Sequence, residues 1–380
     1  MGRKPDHSSI SRNAKRQTYH IQNDLINKIN SYCDSKKINK SFFVNELFHS
    51  YFSQDTKTET SKYKVVSLFS GCGGMDLGFQ GNFEYLGKKY YERNFEIVFA
   101  NDIMEAACKT YKENFNHTPH LGDIKEYLDS NGIIPDCDVV IGGFPCQDFS
   151  LAGKRNGLNS ERGRLYEQMK RVISLKRPKI FIAENVKGLS IGDALEKIKK
   201  DFENIEPKYE ITHFLKMAAD FGIPQTRERI FIVGTRKEFN ISFVSPLETH
   251  SADEHDDREL WITAKQAIGD LESLKNNVPN HSQYSKARNY GAHLQGNKPI
   301  RADYPSPTIR AEHHGNIEFH YKLDRRLTVR ECARIQSFPD NFKFHSSASK
   351  NYVVIGNAVP PVLGWHIAKS VEEYLDKLKP

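Results

Sequence analysis

The 380-residue chain is 38% hydrophobic and 27% charged with a net charge of +7, which supplies enough apolar material for a large core spread over two or three domains. No apolar run approaches the roughly 20 residues of a membrane span, and the polar, basic N-terminus lacks a signal-peptide core, so the sequence reads as a soluble cytoplasmic protein. Cys33, Cys72, Cys108, Cys137, Cys146 and Cys332 form no Cys-x-x-Cys pair, which argues against a zinc ribbon or a disulfide framework and for reduced thiols.

Residues 1–64 hold 12 Lys and Arg against 6 Asp and Glu, so nearly all of the net charge is N-terminal, the footprint of an arm that meets a polyanion or of a solvated tail. Residues 1–15 have almost nothing to bury and are expected to be disordered. From Arg16 to Ile21 the pattern alternates. Asn23 or Asp24 then caps a helix carrying Leu25, Ile29, Tyr32 and Cys33, and a second helix from about Ser41 carries Phe43, Val44, Leu47, Phe48 and Tyr51. This β-α-α order over residues 16–53 resembles a ribbon-helix-helix module. That resemblance implies pairing of two chains, with Arg16, Thr18 and His20 facing DNA bases; the alternative is a helical stub that packs or solubilises. Residues 54–62 read as a linker.

The main domain opens with the buried strand Tyr63–Phe69 and the loop Ser70-Gly71-Cys72-Gly73-Gly74. A strand running into a glycine-rich turn and then a helix is a nucleotide-type site, and Asp76 in place of the third glycine argues against nicotinamide. The next strand ends at Asn101-Asp102-Ile103, where an acid is placed for ribose hydroxyls, and Gly122-Asp123-Ile124 repeats the geometry near an adenine. The strand Cys137–Ile141 runs through Gly142-Gly143 into Phe144-Pro145-Cys146-Gln147. Pro145 fixes the backbone and presents a thiol at a strand end, although a lone cysteine is more often a small buried hydrophobe. A helix near Leu165 crosses over to the strand Ile180–Ala183, which ends in Glu184-Asn185-Val186, so Cys146 and Glu184 share one sheet edge. An isolated strand-end Glu is more often a cap or an ion-pair partner. Gln225, Arg227 and Arg229 alternate ahead of Ile230–Gly234 and are expected to project to one face.

From about Arg236 to Asp324 the βα rhythm stops. The only firm element there is a helix at Thr263–Leu271, and the stretch reads as a separate small domain. Glu312-His313-His314 with His320 fits no zinc spacing, so no metal is expected. Order returns in the helix Thr328–Gln336 and in Gly356-Asn357-Ala358-Val359-Pro360, which leads into a last apolar helix.

Together these motifs, in this order, resemble the DNA cytosine-5 methyltransferases across residues 64–235 and 324–371. The resemblance implies an α/β, doubly wound, mostly parallel Rossmann-like sheet at 63–238 plus 345–380, a smaller irregular target-recognition domain at 239–344, and the short N-terminal module. Cys146 as thiolate would attack carbon-6 of a flipped cytosine and Glu184 would hydrogen-bond to and protonate ring nitrogen 3. Arg229 with Arg227 would favour the thiolate and hold the base, and Pro145 and Gln147 would frame the nucleophile. S-adenosylmethionine would lie along Phe69, Ser70, Gly71, Cys72, Gly73 and Gly74, with Asp102 and Ile103 at its ribose, Asp123 and Ile124 at its adenine, and Leu165, Asn357, Ala358 and Val359 completing the pocket. S-adenosylhomocysteine would be the product. The last segment implies that the C-terminal helix packs back beside the first strand, while Arg326, Thr328 and Arg330 are expected to organise the small domain. The implied partner is duplex DNA in a bacterial, nucleoid-associated setting. A cognate restriction endonuclease is expected as a functional partner, with operator DNA and a second copy of the chain as partners of the N-terminal module. The alternatives are a transfer-RNA cytosine methyltransferase, which the long variable stretch argues against, and a DNA-binding transcriptional regulator.

Overall fold

A computed structural model describes residues 23–36, 40, 43–44, 47, 61–144, 165–191, 193–273, 277–287, 298–311 and 317–379. The chain divides into two compact units, Met1–Thr58 and Glu59–Pro380. In the first, α1 (Asn23–Lys36) occupies the span expected of the first helix; Cys33 on it is buried, and the Tyr32 ring lies 4.9 Å from that of Phe43. Arg16, Thr18 and His20, with the expected ribbon strand, lie outside the described residues.

The second unit is organised by a seven-stranded sheet of β1 (Tyr63–Leu68), β4 (Phe95–Asp102), β5 (His120–Leu121), β6 (Val139–Gly143), β7 (Ile180–Val186), β8 (Tyr209–Met217) and β9 (Glu228–Arg236). A hairpin of β2 (Phe83–Tyr85) and β3 (Lys88–Tyr90) forms a sheet of its own. The order across the large sheet is β5-β4-β1-β6-β7-β9-β8; the first five strands are parallel, and β9 runs antiparallel to both neighbours. Both faces are covered. Val65, Ile97, Ile141, Ile182 and Val233 pack with α2 (Gly74–Gln80), α3 (Glu105–Asn114) and α10 (Pro361–Asp376), while Val66, Leu68, Val140, Phe181 and Ile232 pack with α4 (Ile124–Asp129), α5 (Leu165–Lys176) and α6 (Ala194–Glu203). Burial on two sides is why these strands read as unbroken apolar runs. The strand order reverses at β1 and β6, so a crevice opens beyond their carboxyl ends, the position where open α/β sheets bind ligands.

The C-terminal helix packs back as expected. A Cβ placed on Gly78 of α2 would come within 2.5 Å of the Gly364 and Trp365 backbone, so α10 lies almost backbone to backbone on α2, and the Tyr63 hydroxyl donates to Asp376 at 2.9 Å. Residues 239–344 carry little regular structure among those described: β10 (His250–Ser251), β11 (Glu259–Leu260), α7 (Ala264–Ile268) and α8 (Val329–Ile335). Side chains do the work of secondary structure there. Thr328 and Glu331 form a capping box on α8, and Arg325 grips the buried Glu331 with two contacts of 2.7 Å. Buried Arg326 donates to the carbonyls of Ala287 and Ile317, and Arg330 to those of Pro279 and Pro339. These residues therefore hold the irregular region together, as the sequence predicts.

Candidate active site

At the carboxyl end of β6, Gly143 is in register with Glu184 of β7, and a Cβ on Gly143 would stand 2.8 Å from Glu184 Oε2. Glycine is what leaves room for that carboxylate beside the strand end. Asn185 secures the exit from the strand, its Nδ2 donating to the Phe144 carbonyl at 3.1 Å. Pro145, Cys146 and Gln147 follow at once in sequence and lie outside the described residues. Arg229, at the start of β9, is opposite Val186 and meets Glu184 at 2.9 Å between Nε and Oε1. Burial pushes the Glu184 carboxyl above its ordinary pKa, and Arg229 and then Arg227 hold that rise in check. Burial favours the protonated carboxyl and the adjacent guanidinium the carboxylate, the opposed pulls expected of a group that exchanges a proton with a base nitrogen.

The glycine-rich loop lies at the ends of β1, β4 and β5. Gly71 adopts φ +57° with open space where a Cβ would be, and its N–H donates to Asp102 Oδ2 at 2.8 Å, while Oδ1 accepts from Met104 N at 2.8 Å. Buried Asn101 ties the three strand ends together: its Nδ2 donates to the carbonyls of His120 and Gly122, and its own carbonyl accepts from Ser70 N. Phe69 holds φ +53°, a backbone state rare outside glycine and one that clusters at functional sites. Ile103 is 70% and Leu121 50% exposed at this rim, an apolar shelf next to a carboxylate. Such a shelf, with the cleared space over Gly71, fits a nucleoside-bearing cofactor.

The remaining expected cofactor residues divide by accessibility. Asn357 is exposed at the end of α9 (Ala348–Asn357), and Leu165 is half-buried at the first residue of α5. Asp123 caps α4, accepting from Lys125 N at 2.7 Å. Cys72 and Ile124 are buried in the core, and Gly74 lies under Ala358 and Val359, with a Cβ there only 2.3 Å from the Val359 carbonyl. The Cys72 side chain is thus turned from the rim, and burial pushes its thiol far up.

Gln225 and Arg227 depart from the expected alternation, because β9 begins only at Glu228. Both are buried. Arg227 donates to the carbonyls of Ile309, Gly356 and Ala358 at 2.9 to 3.1 Å, so its guanidinium clamps backbone while its charge also acts on Glu184. Sequence reasoning also missed the role of Asp76, buried between Ser67 and Tyr111, and that of Gln336, whose partners lie far away in the chain. The acid at the third-glycine position was the available signal for the first. Among the described residues no cluster of His, Cys, Asp or Glu is arranged to hold a metal, and Glu312, His313 and His314 lie outside them.

The chain matches the family of C-5 cytosine-specific DNA methylases over residues 63–303 and 276–373. It belongs to that family. The methylase is 36% identical over 340 residues to a Type II methyltransferase of Neisseria gonorrhoeae, M.NgoFVII, covering 83% of this chain and 87% of the relative. It is 35% identical over 348 residues to M.FnuDI of Fusobacterium nucleatum, covering 83% and 96%. Its fold is that of a DNA modification methyltransferase encoded within an E. coli prophage, with a TM-score of 0.60 at 23% identity over 83% of this chain and all of that one. The Entamoeba histolytica methyltransferase EhMeth gives 0.59 at 20% identity, over 84% of this chain and all of that one. The methylase is thus a DNA cytosine-5 methyltransferase, and neither a transfer-RNA enzyme nor primarily a regulator is favoured. Methyltransferases of this family use S-adenosylmethionine. No helix among the described residues is long and apolar enough to cross a membrane.

Proposed function

We propose that the methylase transfers a methyl group to carbon-5 of a cytosine flipped out of duplex DNA, through a covalent adduct on Cys146, at a site read by residues 239–344. The observation that carries this reading is the register of Gly143 with Glu184: it puts a buried, Arg229-paired carboxylate beside the strand end from which Cys146 follows three residues later. Carbon-5 of cytosine is a weak nucleophile. The Cys146 thiolate adds to carbon-6 while Glu184 gives a proton to nitrogen 3, and the displaced π electrons make an enamine with its density on carbon-5. Bound S-adenosylmethionine supplies the methyl group that this carbon takes. Loss of the carbon-5 proton to water then re-forms the ring double bond, expels the thiolate and returns the nitrogen-3 proton to Glu184. Carbon-6 is unreachable inside a duplex, hence the flipped base.

Phe69, Gly71, Asp102, Ile103, Asp123, Leu165 and Asn357 would hold the cofactor, and no metal is required. The Type II methyltransferases among its relatives support a role in a restriction-modification system, protecting DNA from a cognate endonuclease. The N-terminal charge and the partly exposed Leu25, Ile26 and Tyr32 of α1 support a dimerising module that binds operator DNA and limits the enzyme's own expression. Bisulfite sequencing of DNA from bacteria expressing the chain tests the reading: one short sequence carries 5-methylcytosine, and Cys146→Ser abolishes it. Methylation at normal rates by Cys146→Ser rules out the covalent route.

A further inference from the structure

The lead-in to β9 is stitched to a distant segment. Ser306 N donates to the Pro224 carbonyl and Thr226 N to the Ser306 carbonyl, both at 2.8 Å, and the Thr308 hydroxyl donates to the Thr226 carbonyl at 3.1 Å. Fully buried Gln225 sits in the middle of this seam. Its Oε1 accepts from Ile309 N at 2.9 Å, and its Nε2 donates to the Ile335 carbonyl at 3.1 Å and to Gln336 Oε1 at 2.6 Å. Gln336, also buried, donates onward to the Ala358 carbonyl at 2.6 Å, and Arg227 joins Ile309 to Gly356 and Ala358. Four separated stretches thus meet at two amides and a guanidinium. The same strip of backbone continues two residues to Arg229, whose guanidinium is on Glu184.

We infer that Gln225 and Gln336 are positioning residues that couple segment 306–309 to the Arg229–Glu184 pair, so that placement of the target-recognition segment sets the catalytic carboxyl. The inference rests on the reading above that residues 239–344 recognise DNA. The physical warrant is the kind of contact. Apolar packing tolerates small slides, whereas a satisfied buried amide network has one register and is costly to break by halves. Segment 306–309 therefore shifts only by breaking this network or by dragging the start of β9 with it. Neither amide is placed on the base or the cofactor; each acts through Arg229 or through backbone.

The test uses the full-length enzyme with labelled S-adenosylmethionine, on the methylated duplex sequence and on duplexes altered by one base pair. Gln225→Met keeps volume and removes the amide. It is expected to lower kcat on the cognate duplex, and the preference for it over the altered ones, by about tenfold each, with KM for S-adenosylmethionine within about twofold. Gln336→Met is expected to do the same, and the double variant to lose no more than either single one, because both cut one network. Unchanged kcat and preference in a folded Gln225→Met enzyme overturn the inference. Additive losses, or a fall in thermal stability with cofactor KM rising alongside every other parameter, overturn it in favour of a merely structural role. A photocrosslinking benzoylphenylalanine at Tyr304, 39% exposed ahead of the segment, separates the premise: a crosslink to cognate duplex with unchanged preference in Gln225→Met defeats the coupling alone. No crosslink in an active enzyme defeats the recognition reading beneath it.

Discussion

Asp76 offers a sharp physical test. It lies in the first turn of α2, just after the cofactor loop, and is completely buried; Ser67 Oγ and the Tyr111 hydroxyl each donate to it at 3.0 Å, and Tyr111 also meets His117 Nε2 at 2.9 Å. Burial raises its pKa from 3.8 to about 6, against the pull of the Ser67, Tyr111 and backbone hydrogen bonds. The folded chain thus holds this proton more tightly than the unfolded one. The resulting stability is fully present below pH 3.8, is lost as pH rises through about 6, and amounts to about 3 kcal/mol at 1.36 kcal/mol per unit. Roughly 1.4 kcal/mol of that loss falls between pH 5 and pH 8 by the same linkage. Asp76→Asn removes the titration. It also sets an amide N–H against one of two donors, a cost of about 1–2 kcal/mol that does not vary with pH. Urea midpoints of both proteins from pH 5 to pH 8 isolate the titrating part, because every other group cancels in the difference. Wild type is expected to gain about 1.4 kcal/mol on the variant as pH falls from 8 to 5, and a difference flat to within about 0.3 kcal/mol refutes the buried-carboxyl argument.

Gly71→Ala meets no atom within 4 Å, so its cost to folding is the left-handed backbone alone, about 1–2 kcal/mol, while the added methyl enters the space assigned to the cofactor. Calorimetric titration with S-adenosylhomocysteine should show affinity falling at least about tenfold beyond the stability loss; unchanged affinity would move the cofactor elsewhere. Arg229→Ala leaves burial to raise the Glu184 carboxyl unopposed by its nearest cation. Single-turnover rates should fall about 100-fold and the alkaline limb of the pH–rate profile should move to higher pH, whereas a fixed limb would take Glu184 out of the proton transfer. Gly78→Ala drives a methyl to 2.5 Å from the α10 backbone and should cost about 2–3 kcal/mol in urea unfolding, with no loss if the two helices are not in contact.

Most of the frame was legible because the elements that build it announce themselves locally. β1, β6 and β7 are buried on both sides and read as apolar runs, their ends are marked by Gly71, Gly143 and Asn185, and Thr328 with Glu331 spells out its own capping box. Read as one surface, the loop puts Cys72 on the cofactor; the turn at Gly71 and Gly73, with φ +57° and +85°, sends the thiol into the core instead. Gln225 and Arg227 follow strand periodicity in the sequence, but their partners at Ile309, Gln336 and Ala358 are 82 to 131 residues away.

That failure has a general cause. The proposed catalytic step demands particular side chains, a thiol and a carboxyl, so it would leave its imprint in residue identity, at Cys146 and Glu184. The wiring around it runs largely from side-chain donors to backbone carbonyls: Arg227 to Gly356, Gln336 to Ala358, Arg326 to Ala287, Arg330 to Pro279. Every residue carries a carbonyl, so the acceptor constrains nothing about the sequence at its own position. A buried Arg or Gln therefore signals that a clamp exists without saying what it clamps. The sheet and the candidates for the reacting groups are recoverable from the chain alone, whereas the way residues 239–344 are held against them needs coordinates.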